Sequence, residues 1–245
     1  GVYLHKTGDA EFLNKHHELL LQCLESLLNR DHPDASQRDG LMSFESSRTE
    51  GGGEITTYDS LDHSLGQARG NVYLAGKCWA SYLALEQLFG QLDEVEAAAN
   101  ARAGAVRCAE SLEAAYDDSL GFIPAVLENN NQSAIIPAAE ALVYPWQMGL
   151  RDAVDEEGAF GGYIRMLKRH LQNILNPGMC LYEDGGWKLS SSADNSWMSK
   201  ISISQFVVHE ILGMSYEGEE RADAAHVSWQ VKGSEFYACS DQFGA

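Results

Sequence analysis

Apolar residues recur along this chain with the 3.6-residue period of helices rather than the alternation of strands. Between about Glu11 and Asn29, the residues Phe12, Leu19, Leu20, Cys23, Leu24, Leu27 and Leu28 form one stripe. The breaker run Asp31-His32-Pro33-Asp34 closes it, which predicts a first helix. Val72, Tyr73, Trp79, Ala80, Leu83 and Leu88 mark a second long helix, starting near Ser64 and ended by Gly90. A third, alanine-rich and so able to approach its neighbours closely, runs from about Asp93 to Tyr116.

Past Asp117-Asp118 the pattern changes. Gly121 to Val126 and Ile135-Ile136-Pro137 are short apolar pieces around the polar tip Asn129-Asn130-Asn131-Gln132, which predicts a long loop with a hairpin. Helical periods return at Ala138 to Leu150, Phe160 to Leu175, Trp197 to Leu212 and Glu219 to Ser240, with a second irregular stretch from Asn176 to Asn195. Long helices separated alternately by short turns and long loops predict an all-α fold of helical hairpins, as in an α/α toroid. Seven predicted helices are too few to close a ring of six hairpins.

Composition narrows the function. Seventeen basic against thirty-six acidic residues give a net charge of −19, which repels phosphate backbones and anionic membrane surfaces. A neutral sugar feels no such repulsion. Five scattered cysteines without a C-x-x-C pair suggest neither a disulfide framework nor a zinc knuckle, and point to a reducing, cytoplasmic setting. The opening Gly1-Val2-Tyr3 lacks a signal-peptide layout, and no apolar run reaches membrane length. There is no H-E-x-x-H, G-x-S-x-G, Walker or Rossmann pattern, so neither a metal nor a cofactor is expected.

The stretch from Thr49 to Leu65 is the densest candidate for chemistry. It sets Glu50, Glu54, Asp59 and Asp62 around Gly51-Gly52-Gly53, just ahead of the second helix. Crowded carboxylates push each other's pKa values apart, so one can stay protonated as a general acid while another stays ionised. A plain structural reading, an acidic turn leading into an N-capped helix, fits the same residues.

The run Thr56-Thr57-Tyr58-Asp59-Ser60-Leu61-Asp62, continued through Ser64-Leu65-Gly66-Gln67-Ala68-Arg69 to Lys77-Cys78-Trp79-Ala80, resembles the glycoside hydrolase family 52 β-xylosidases. A related Thr-Tyr-Asp tripeptide marks the family 116 β-glucosidases of the same clan. The resemblance implies that Asp59 is the catalytic acid/base, with Thr57 and Tyr58 orienting it and Asp62 as a neighbour in the substrate pocket. It further implies an (α/α)6 barrel preceded by a β-sandwich. Residues 1–245 resemble the C-terminal part of that barrel as a single helical domain, the sandwich and the first part of the barrel being absent.

Two further segments carry the resemblance. In Ile136 to Trp146, Glu140 would bind sugar hydroxyls and Trp146 would stack on a pyranose face; the alternative is an exposed acid and a core tryptophan. In Ser190 to Lys200, Asp194 would contact sugar hydroxyls, with Trp187 and Trp197 as stacking surfaces. The alternative there is that Asp194 or Asn195 is an N-cap.

The implied reaction is retaining hydrolysis of xylo-oligosaccharides or aryl β-xylosides from the non-reducing end, with two carboxyl groups about 5 to 5.5 Å apart. The chain departs from the family in one respect. The nucleophilic glutamate lies farther upstream of the motif than the fifty-eight residues present here. Either the chain is a fragment, or a local acid such as Glu50 or Glu54 has been recruited. A carbohydrate-binding or structural domain that lost the nucleophile, and an unrelated toroid lyase or epimerase, stay open beside the β-xylosidase. A half ring would leave apolar helix faces such as Phe12, Leu20, Leu24 and Leu28 uncovered, which predicts a homo-oligomer.

Overall fold

Helix α4 (Val72–Gln91) is the centre of the fold, and its sequence explains why. Asn71 caps it, its side chain accepting from the Leu74 N–H at 3.1 Å, and apolar residues follow on nearly every side. A helix apolar all round must be buried. A computed structural model describes residues 1–43, 61–66, 69–232 and 242–244 of the protein. Among these residues the fold is all-α, with one small antiparallel ribbon pairing β1 (Asn195–Trp197) with β2 (Gln242–Gly244).

A turn through Asp93, in the left-handed region at φ 59°, reverses the chain into α5 (Val95–Ala114). Small residues on α5 bring the two backbones close: the Cys108 thiol reaches the Ala75 carbonyl, and a Cβ at Gly104 would lie 2.7 Å from the Tyr82 ring. Residue 108 meeting 75 while 104 meets 82 makes the pair an antiparallel helical hairpin. On its other side α4 receives the 3₁₀ segment Ile136–Leu142, all of it buried, and α7 (Gly161–Ile174). Trp79 of α4 is fully buried and packs edge-on against Phe160 and Tyr163, with ring centroids 5.5 and 5.2 Å away. Such aromatic pairs each add about 0.5–1.5 kcal/mol beyond burial.

The amino-terminal stripe is broken into α1 (Val2–Thr7), α2 (Ala10–Lys15) and α3 (His17–Asp31). Of the predicted stripe only Leu24 is buried; Phe12 and Leu19 are 43% and 53% exposed. The segment expected as one helix over Ala138 to Leu150 is instead the 3₁₀ run, the short α6 (Val143–Gln147) and a 3₁₀ turn at Arg151–Val154. Helix α8 (Met198–Phe206) continues as a π-helical segment, Val207–Ile211, and α9 spans Ala222–Val231. The hairpin expected within 121–137 is reduced to one backbone bond, Ala125 N–H to Ser133 O at 2.7 Å, while Val126 pairs with Asn71 and Ile135 with Ser190. No helix of the described residues is long and apolar enough to cross a membrane.

Candidate active site

Thr57, Tyr58 and Asp59, with Glu50 and Glu54, lie outside the described residues. Their flanks are described, and each is tied down by a buried aspartate. Upstream, Asp31 at the end of α3 accepts the backbone N–H groups of Asp39 (3.0 Å) and Gly40 (2.8 Å). Gly40 sits at φ +88° with its missing Cβ 2.2 Å from the Cys108 nitrogen, so only glycine passes there. Burial pushes the Asp31 carboxyl above its ordinary range against the pull of these two N–H donors.

Downstream, Asp62 is 1% exposed and caps a 3₁₀ turn, His63–Leu65. Its Oδ1 accepts from the Ser64 N–H (2.9 Å) and hydroxyl (2.6 Å). Its Oδ2 accepts from the hydroxyls of Ser190 (2.5 Å) and Ser192 (2.6 Å). Burial opposes ionisation here, but the three hydroxyls and the Ser64 N–H outweigh it and hold the carboxyl below its usual pKa. The Ser190–Ser192 turn is itself docked on the run before the 3₁₀ segment: Ser191 N–H donates to Ala134 O (2.9 Å), and Ile136 N–H donates to Leu189 O (3.0 Å).

That run leads to Glu140, 2% exposed, which gathers side chains from two helices. Its Oε1 receives the Lys77 ammonium and, at 3.4 Å, the Tyr73 hydroxyl, both from α4. Its Oε2 receives Lys200 of α8 at 2.7 Å. Lys200 also donates to the Tyr73 oxygen (2.7 Å) and Lys77 to that of Tyr144 (3.0 Å). Both ammoniums lie 5.0 Å from the centre of the Tyr73 ring, within cation–π range. Burial lowers the Lys77 pKa, but its bonds to Glu140 and Tyr144 raise it by more, so it stays charged.

Asp62 and Glu140 therefore bracket the stretch 190–200, one fixing its start and the other its end. Between them, Asp194 is largely exposed and ion-paired with Lys188 at 2.9 Å, while Trp197 is half-buried at the end of β1. Trp146 lies apart. It meets Phe206, six residues along α8 from Lys200 and so about 9 Å further down the helix. The Arg151 guanidinium covers its ring at 3.2 Å, beside a cavity of about 200 Å³ that Asp155, Glu156 and Lys168 also line. Trp187 corrects an expectation: it is fully buried, with its indole N–H donating to the Tyr216 hydroxyl (2.7 Å), and offers no stacking face.

Tyr73, Lys77, Lys200, Ser190 and Ser192 were not singled out from the sequence. Lys77 had a signal, being the one basic residue of an otherwise apolar helix, and such a charge demands a buried partner. Among the described residues no group of three His, Cys, Asp or Glu side chains is placed to hold a metal ion.

Two known proteins, both β-xylosidases, are similar to the chain. The chain is 52% identical over 229 residues to a β-xylosidase of Geobacillus stearothermophilus, a match covering 93% of this chain and 32% of that protein. A second β-xylosidase of the same organism is 41% identical over 98 residues, 40% of this chain and 16% of that protein. No protein-family model matches. The chain thus resembles a part of a β-xylosidase and spans about a third of the length of the first relative.

Proposed function

We propose that this chain is the acid/base-bearing part of a retaining β-xylosidase. The observation that carries the reading is the 52% identity, which extends over 93% of the chain. Asp59 is the general acid: protonated, it donates to the glycosidic oxygen as that bond breaks, and as carboxylate it then takes a proton from the water that releases xylose. Thr57 and Tyr58 orient it, Asp194 and Trp197 contribute to the sugar pocket, and Glu140 supports the wall of that pocket by holding Lys77 and Lys200. Residues 1–245 form one helical domain, the C-terminal portion of an (α/α)6 barrel, and the α4–α5 hairpin supports that architecture. The nucleophile comes from elsewhere in the full enzyme. Both described acids that flank 190–200 support this division, because Asp62 and Glu140 are already engaged by protein donors.

The exposed Phe12, Leu19 and Val95 support self-association, and the net charge of −19 supports a neutral glycan rather than a nucleic acid as partner. The four described cysteines are free, in keeping with a cytoplasmic setting. The test of the acid role is Asp59→Asn assayed in azide, which stands in for the nucleophile, on aryl xylosides of graded leaving group. Turnover of poor leaving groups is expected to fall by about 10² to 10⁴, and that of p-nitrophenyl β-xyloside far less. Equal losses on both would remove Asp59 from the acid role. A second reading, a domain that binds sugar without cleaving it, draws support from the same engagement of Asp62 and Glu140; xylobiose binding without any release of p-nitrophenol even in azide would favour it.

A further inference from the structure

We propose that Asp62 is a positioning residue: its carboxylate staples the chain three residues beyond Asp59 to the Ser190–Ser192 turn, so that the two polar loops of the candidate site keep one relative arrangement. The inference rests on the acid role proposed for Asp59 only in what is positioned; the staple itself stands on described atoms.

A carboxylate offers about four lone-pair sites, and all four of Asp62 are occupied, two by Ser64 and one each by Ser190 and Ser192. With 1% of its surface exposed, it has neither room nor acceptor capacity for a sugar hydroxyl. These donors are hydroxyls and a backbone amide, so the charge is stabilised by dipoles that each point from a fixed direction. Such an arrangement is costly to bury, and its return is geometric definition rather than net stability. The two ends of the staple are 128 residues apart in sequence, and each is independently anchored. The Asp62 end runs into α4, with Asn71 Nδ2 donating to Leu65 O (3.3 Å) and Leu61 and Leu65 fully buried. The serine end is pinned to Ala134 by Ser191, whose hydroxyl accepts the Ala134 N–H at 2.9 Å.

Hydrogen exchange of the chain decides the staple without any need for turnover. Asp62→Ala is expected to speed exchange of the Ser64, Leu65, Ser191 and Ser192 amides together, by about tenfold or more, while α4 and α5 keep their protection. The pair Ser190→Ala with Ser192→Ala, which leaves Asp62 and Ser64 intact, is expected to loosen the same two segments, and it answers the question if Asp62→Ala does not fold. Loosening confined to the mutated segment in the variant that folds overturns the staple. Positioning is then read, with azide supplying the nucleophile, from the ratio of p-nitrophenyl β-xyloside to phenyl β-xyloside turnover. A staple that aims the acid raises this ratio about tenfold in Asp62→Ala and restores most of it in Asp62→Asn, where the amide can still bridge the serines. An unchanged ratio in a turning-over protein makes Asp62 a structural residue only. Absence of turnover in the parent chain even with azide instead speaks against the acid role of Asp59, and the exchange rates alone then decide the staple.

Discussion

Replacing Glu140 by glutamine removes one negative charge from beneath two ammonium groups and leaves the packing almost unchanged. Glu140 is 2% exposed, whereas the Lys77 and Lys200 side chains are 22% and 12% exposed. Removing one partner of a fully buried ion pair costs about 3–5 kcal/mol, because the other charge is stranded. The lysine ends here retain some solvent, which screens the stranded charge, so the expectation lies at the lower end, about 3 kcal/mol. For a chain of this length, 1 kcal/mol shifts the melting temperature by about 2–4 °C, so Glu140→Gln should melt about 6–12 °C lower. Calorimetry or urea titration with an unchanged m-value would measure it. Adding Lys77→Met to Glu140→Gln should recover part of the loss, since one stranded charge goes with it. A loss under about 1 kcal/mol, or no recovery in the double variant, would refute the picture of Glu140 as a charge hub for three segments.

Acid should destabilise the protein through His170. This residue is fully buried, with Nε2 on the Ile135 carbonyl at 3.0 Å and Nδ1 without a hydrogen-bond partner among the described residues. Burial depresses its pKa from 6.5 to about 4, the bond to Ile135 opposing the shift. The unfolded chain therefore binds the proton more readily than the folded one: stability is full above about pH 6.5 and is lost as pH falls toward 4, by about 3 kcal/mol in total. Urea unfolding at pH 7 and pH 4.5 checks this, and His170→Gln should flatten the difference; an equal slope in the variant would exonerate His170. Of the face expected to be uncovered Leu24 is buried within the chain and Phe12 is exposed; sedimentation should still show a dimer or larger species at micromolar concentration, and a compact monomer would contradict it.

Helices whose apolar period is carried by their own burial were readable from the sequence. α5 and α7 fall within a few residues of their expected bounds, because each has one buried and one solvated face. The amino-terminal stripe misled because the chain breaks inside it at His16, between α2 and α3, and Phe12 is left exposed against the rings of Tyr3 and His16. The Ile136–Leu142 segment has no polar face at all, and with Pro137 in its first turn it is held by its surroundings rather than by propensity. The reduced hairpin has a similar origin, since Asn71 and Ser190 are better partners than its own other strand and lie far away in sequence. At the candidate site the acids stood out and their partners did not. Glu140 was visible as an acid near two aromatics, but its lysines sit 63 and 60 residues away, and no local pattern couples them.

Whether the chain carries the acid but not the nucleophile is tested most directly by azide. On the proposed division, azide would take the place of the nucleophilic carboxylate and attack the anomeric carbon from the face opposite the leaving group, forming a C–N bond as the C–O bond breaks, with Asp59, in its proposed role, protonating the departing oxygen. Negligible hydrolysis of xylobiose is expected from the chain alone, and in azide the release of p-nitrophenol from its β-xyloside with α-xylosyl azide as the product. General acid catalysis alone is worth about 10² to 10⁴, a small part of the about 10⁶ to 10¹⁷ that enzymes reach. Hydrolysis of xylobiose at ordinary enzymatic rates without azide would contradict this division of the machinery, and would make an acid within residues 1–245, with Glu50 and Glu54 the first to test, the partner of Asp59.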